Sequence, residues 1–136
     1  MRELITEAKV ECLTEVQAFV SEILESRGCP MKIQLSIEVA VEELFVNIAS
    51  YAYPGGTGEA VIQVDAPEES DEVKITFIDS GIPYNPTVKE DPDITTPAEQ
   101  RPIGGLGIYM VKKSMDRMTY QREDGKNILS IYKKIG

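Results

Sequence analysis

Apolar residues recur at helical spacing along the stretch Ile33 to Tyr53. At about 100° per residue, Ile33, Ile37, Val41, Leu44 and Ile48 fall in one arc, which predicts a long amphipathic helix. Pro54-Gly55-Gly56 ends it. Glu38 and Glu42 lie on the opposite side, where a surface helix meets water. Glu43 and Asn47 are four residues apart on a ridge at the margin of the arc, beside Ser36, Ala40 and Ser50. A carboxylate and a carboxamide there are costly unless they bind something. The alternative is a helix-edge pair that reaches solvent.

The same patterning predicts the other elements. Leu4 to Val10 alternates loosely, as a strand does. Thr14-Glu15-Val16-Gln17 has the form of a capping box, and Val16, Phe19, Val20, Ile23 and Leu24 follow at helical spacing until Gly28 and Pro30. Ala60–Asp65 and Val73–Asp79 read as antiparallel neighbours across an acidic turn. Ser80 to Pro102 holds five prolines and four acids with little apolar content, a length of loop that is usually functional or disordered. A third helix is expected from Ile103-Gly104-Gly105-Leu106-Gly107 to about Met118, then a hairpin of Thr119–Arg122 and Ile128–Lys133 around Asp124-Gly125. The order predicts an α+β fold in one domain spanning 1–136: a two-layer sandwich with a mixed sheet and helices on one face. Such a layout leaves one pocket between the layers, beneath the long loop.

Composition narrows the chemistry. The chain has 136 residues, 42% hydrophobic and 27% charged, as a soluble globular protein has. No apolar run approaches the roughly 20 residues of a membrane span, and the N-terminus lacks a signal-peptide core. A cytoplasmic protein without a membrane partner is expected, with Cys12 and Cys29 as idle thiols. The absence of histidine removes histidine-based acid–base chemistry, histidine metal sites and phosphohistidine. A net charge of −9 argues against nucleic acid as a partner. Residues 104–136 are the exception, with seven Lys/Arg against three acids. That quarter suits either an anionic ligand or a solvated surface.

Three pieces carry candidate chemistry. In the first, the Asn47 amide oxygen suits Mg²⁺, and Glu43 one turn away suits deprotonation of a hydroxyl or water. In the second, Asp79-Ser80-Gly81-Ile82-Pro83 leaves a strand with an acceptor for an exocyclic amine and a glycine that admits a flat base. It reads equally as a plain strand-to-loop turn. In the third, Gly104-Gly105-Leu106-Gly107 opens a helix, where free N–H groups and the helix dipole favour phosphate. A flexible hinge is the alternative. It is neither a Walker loop nor a dinucleotide fingerprint.

Taken together, Glu-x-x-x-Asn on a helix, Asp-x-Gly-x-Pro after a strand and Gly-Gly-Leu-Gly into a helix resemble the GHKL ATPase superfamily and its Bergerat fold. The short form, with Glu43 to Pro54, Asp79 to Pro86, Gly104 to Asp116 and Asp124 to Lys134, resembles the anti-sigma factor serine/threonine kinases of the SpoIIAB/RsbW type. The resemblance covers nearly the whole chain. It implies Glu43 as general base, Asn47 as Mg²⁺ ligand, Asp79 reading the adenine amine and Gly81 beside the base. It further implies phosphate contacts from the Gly104–Gly107 segment (Gly105, Leu106 and Gly107 above all), an ATP lid over residues 84–103, and Ser130 near the adenine. Tyr51 stands where many relatives have histidine, and the lid is longer and more acidic than theirs.

The implied activity is ATP-dependent serine/threonine phosphorylation of a STAS-type anti-sigma antagonist, with a sigma factor as the alternative partner and a homodimer as the assembly. Phosphoryl transfer needs mostly positioning and charge neutralisation, which ATP, Mg²⁺, a helix dipole and Glu43 supply. The competing expectation is an ATP-binding module that sequesters a partner with little or no turnover.

Overall fold

A computed structural model of the protein describes residues 1–88 and 105–135. The elements in chain order are β1 (Arg2–Glu7), a 3₁₀ turn (Val10–Cys12), α1 (Leu13–Ser26), α2 (Met31–Tyr51), β2 (Glu59–Asp65), β3 (Glu72–Asp79), a second 3₁₀ turn (Pro86–Val88), α3 (Gly105–Ser114), β4 (Arg117–Glu123) and β5 (Lys126–Lys134). The strands form one sheet in the order β1-β2-β3-β5-β4. Ala60, Ile62 and Val64 of β2, with Val73, Ile75 and Phe77 of β3, turn one face of it to the helices. The opposite face, with Ile5, Val61, Ile78 and Ile128 in one register row, stays open.

The α+β sandwich is as expected, but the sheet is not mixed. Every neighbouring pair is antiparallel. Strand β2 follows the two helices and lies antiparallel beside β1. Strands β3 and β4 do run the same way, yet β5 folds back between them and no parallel pair forms. Asp124 and Gly125, at φ 52° and 74°, make the tight turn that sets this hairpin.

In α1, the backbone is already helical at Cys12, which follows directly from the 3₁₀ turn. The helix therefore begins at Leu13, Thr14 falls inside its first turn, and no side chain caps it. At the other end Gly28, at φ 69°, closes a Schellman motif: its N–H reaches the Glu25 carbonyl, and the Cys29 N–H reaches that of Leu24. Arg27 then latches α1 to the β2–β3 turn. Its Nε donates to the Ala66 carbonyl (3.0 Å) and its Nη2 to those of Pro67 (2.9 Å) and Ser70 (2.6 Å). Hydrogen bonds from a charged donor are worth about 1.5–3 kcal/mol, so Arg27→Ala should lower stability by about that amount. A urea midpoint unchanged from wild type would show the latch to be idle.

The apolar arc of α2 is wider than its spacing predicts. Ile37, Val41, Leu44 and Ile48 are buried as expected, Gln34, Ala40 and Phe45 join them, and Ile33 is only half-buried. The cause is that α1 and α3 flank this helix while the sheet lies beneath it. Glu42 is exposed, but Glu38 is not on the water side. Its Oε2 accepts hydrogen bonds from Ser21 of α1 (2.8 Å) and from Gln34 (2.9 Å). Among the described residues no helix is long and apolar enough to cross a membrane.

Candidate functional site

Asp79 is the last residue of β3, placed in register between Ala60 and Asn127 and only 7% exposed. A buried carboxylate requires donors. Its Oδ1 accepts the Gly81 N–H (2.9 Å) and the Asn127 Nδ2 (2.9 Å), while Oδ2 accepts nothing among the described residues. Gly81 is required for close approach. A Cβ there would overlap the carbonyl oxygen of Ala52, which accepts the Ile82 N–H at 2.9 Å. The exit from β3 is thus pressed onto the C-terminal end of α2.

Asn127 holds this corner together. Its Nδ2 also donates to the Ile82 carbonyl (2.8 Å), and its Oδ1 accepts the Tyr120 hydroxyl (2.5 Å) and the Tyr84 N–H (3.3 Å). Four hydrogen bonds satisfy the carboxamide completely. Arg122 adds a bond from Nη1 to the Gly81 carbonyl (2.9 Å). The hydroxyl of Tyr53 donates to the Glu59 carbonyl (2.6 Å) and accepts the Ser80 N–H (2.8 Å). Burial raises the Tyr53 pKa, against a smaller lowering by the Ser80 bond, so the hydroxyl stays a neutral donor.

Beside this corner lies a narrow cavity of about 80 Å³. Its walls are apolar, with Leu44, Ile48, Phe77, Ile108 and Leu129, and its polar groups are Asn47, Asp79 and Asn127, with the rings of Tyr51, Tyr84 and Tyr120. A few convergent polar groups in an apolar cleft are the usual composition of a small-molecule site. The Asn47 carboxamide makes no hydrogen bond among the described residues, and its Nδ2 is buried without a partner. Such orphans are rare in folded proteins, where a buried donor is met by a protein group, a water or a ligand.

Glu43 is one turn earlier and half-buried, with no hydrogen bond or ion pair among the described residues. Its carboxylate lies against α3, and a Cβ at Gly107 would overlap Oε2. Glu43 does not line the cavity. It lines a separate groove between α2 and α3, together with Lys32, Leu35 and Met110.

The expected residues therefore divide. Asn47 and Asp79 share the cavity, Gly81 shapes its edge, and Glu43 meets Gly107 one turn earlier along the same ridge of α2, in the neighbouring groove. Gly105, Leu106 and Gly107 form the first turn of α3. Gly104 and lid residues 89–103 lie outside the described residues. Ser130 is misplaced by the sequence reading. It faces the open side of the sheet and is hydrogen-bonded to Thr76 at 2.9 Å. The polar residue that β5 does turn toward the cavity is Asn127, three positions earlier, and the sequence reading missed it. The Asp124-Gly125 turn fixes only the β4–β5 register, with Asn127 opposite Arg122, and the pairing of Asn127 with Asp79 comes from the long-range β3–β5 ladder, so no local signal marks it.

Comparison with known proteins identifies the family and supports the fold. Residues 6–133 match the histidine kinase-like ATPase domain, and the chain belongs to that family. It is 27% identical over 131 residues to the serine-protein kinase RsbW of Bacillus mycoides, covering 93% of this chain and 81% of that protein. It is also 27% identical over 100 residues to the serine/threonine-protein kinase BtrW of Bordetella bronchiseptica, at 74% and 70% coverage. The RsbU and RsbW domains of a Mycobacterium tuberculosis protein superimpose with a TM-score of 0.63 at 15% identity, over 99% of this chain and 33% of that one. The domain of a blue-light activated histidine kinase from Erythrobacter litoralis superimposes with a TM-score of 0.55 at 16% identity, over 93% and 60%. The two structural likenesses bear on the fold.

Proposed function

We propose that the chain is a cytoplasmic, homodimeric, ATP-dependent protein serine/threonine kinase and anti-sigma factor that phosphorylates a STAS-type antagonist in a partner-switching system. The names of the RsbW and BtrW relatives support the activity. The observation that carries the reading is the pair on α2: Asn47, unpartnered at the Asp79 cavity, and Glu43, unpartnered one turn away.

In this reading the open Oδ2 of Asp79 accepts the adenine amine, and Phe77, Ile108 and Leu129 exclude water from the base. The N–H groups at the start of α3, Gly105 to Gly107, receive phosphate oxygens. Mg²⁺ would be held by Asn47 and would neutralise phosphate charge when bound. The residues fit it in one respect: no hydrogen bond among the described residues holds the Asn47 carboxamide, so its oxygen is available to a cation. Glu43 takes the proton from the acceptor serine hydroxyl, whose oxygen bonds to the γ-phosphorus as the bond to ADP breaks.

Labelled ATP and a STAS-domain protein from the same organism test the reading. Phosphoserine on that protein is the expected product. Nucleotide binding by calorimetry with no transfer would replace the kinase by a sequestering ATP module.

A further inference from the structure

The groove between α2 and α3 is unassigned by the reading above and has a volume of about 630 Å³. Along it stand Met31, Leu35 and Val39 of α2 and Met110 of α3, which are 67%, 53%, 54% and 53% exposed. Four large apolar side chains, each more than half in water on adjoining helices, form a patch that a soluble protein normally covers. Methionine at both ends of the set makes the surface adaptable to a partner's shape.

Two charged residues line the groove, Lys32 and Glu43. Lys32 makes no ion pair among the described residues. The position of Glu43 is what identifies the occupant. Asn47 lies on the cavity and not on the groove, whereas Glu43 lies on the groove and not on the cavity. With the adenine of the nucleotide in the cavity and its phosphates at the start of α3, a base on that wall takes a proton from something arriving along the groove.

We infer that the α2–α3 groove is the docking surface of the phosphoacceptor protein. It takes an amphipathic segment that seats apolar side chains on Met31, Leu35, Val39 and Met110 and presents its serine hydroxyl to Glu43. The inference rests on the kinase reading and adds where the acceptor binds. Lys32 and Glu43 are 11 positions apart on α2, about 16 Å at 1.5 Å per residue. The complementary segment carries a carboxylate for Lys32 at that distance from the serine.

The test compares wild type with Leu35→Asp/Val39→Asp and with Lys32→Glu, using the STAS-domain protein of the same organism as acceptor. All three substituted side chains lie outside the cavity and the proposed transfer machinery. The double variant should raise KM for the acceptor about tenfold or more, and the charge reversal should raise it severalfold. Calorimetric affinity for ATP and the thermal midpoint should match wild type in both. Wild-type transfer with acceptor KM unchanged in both variants overturns the groove assignment and leaves the kinase standing. An unchanged KM with dimers converted to monomers in sedimentation assigns the groove to a second copy instead. ATP binding by wild type without transfer overturns the kinase reading, and the acceptor groove with it.

Discussion

Glu43→Gln should lower phosphotransfer by a factor of about 10²–10⁴, the range for loss of a general base, with ATP affinity unchanged. Glutamine fills the same space against Gly107, so the packing between α2 and α3 survives. What is lost is the basic oxygen, on a residue that makes no hydrogen bond or ion pair within the described chain. Gly107→Ala is the companion variant. Its methyl group would overlap Oε2 of Glu43, and a flexible side chain yields more readily than a helix backbone. Alanine is also a better helix former than glycine, so the fold should hold while the carboxylate is pushed from its place. Both variants should therefore bind ATP and fail in transfer, by single-turnover assay with labelled ATP. Full transfer by Glu43→Gln would remove Glu43 from the chemistry and leave positioning alone to explain the rate.

Periodicity located α1, α2 and the β4–β5 hairpin because each is amphipathic over its own length. It was silent where long-range packing decides. The pairing of β5 between β3 and β4 is set across more than 40 residues, and no local pattern in Glu72–Asp79 names its neighbour. Glu38 looked solvated because one helix viewed alone has a single outside, while α1 supplies a second inside through Ser21. The site divides in the same way. The placement of Asp79 and Gly81 at a strand end and of Glu43 and Asn47 one turn apart on α2 was legible, because motif spacing ties them to those elements. Ser130 was misjudged because Ile128, Leu129 and Ile131 are apolar on both parities, which hides which face of β5 is inward. Asn127 went unseen since its role exists only once β5 pairs with β3.

That pairing leads to the sharpest consequence of the site. Asp79→Asn should weaken ATP binding about a hundredfold or more and lower the preference for adenine over guanine nucleotides. Oδ1 of Asp79 faces two donors, the Gly81 N–H and the Asn127 Nδ2. An asparagine there must turn its own carbonyl toward them, since its NH₂ would meet donor against donor. Both internal bonds then survive and the fold is kept. The group left facing the cavity changes from an acceptor to a donor. Adenine offers an amine at that position and is opposed, whereas guanine offers a carbonyl and is welcomed. A site built to hydrogen-bond one group rejects its opposite by large factors, because buried polar groups go unpaired. Asn127→Ala should behave differently. It leaves Tyr120, the Tyr84 N–H and the Ile82 carbonyl without their partner, so it should cost about 1–3 kcal/mol of stability and weaken both nucleotides together. Calorimetry with ATP and GTP on the two variants separates a residue that reads the base from one that holds the reader. Equal loss of both nucleotides in Asp79→Asn, at wild-type stability, would show that Asp79 shapes the cavity without reading what enters it.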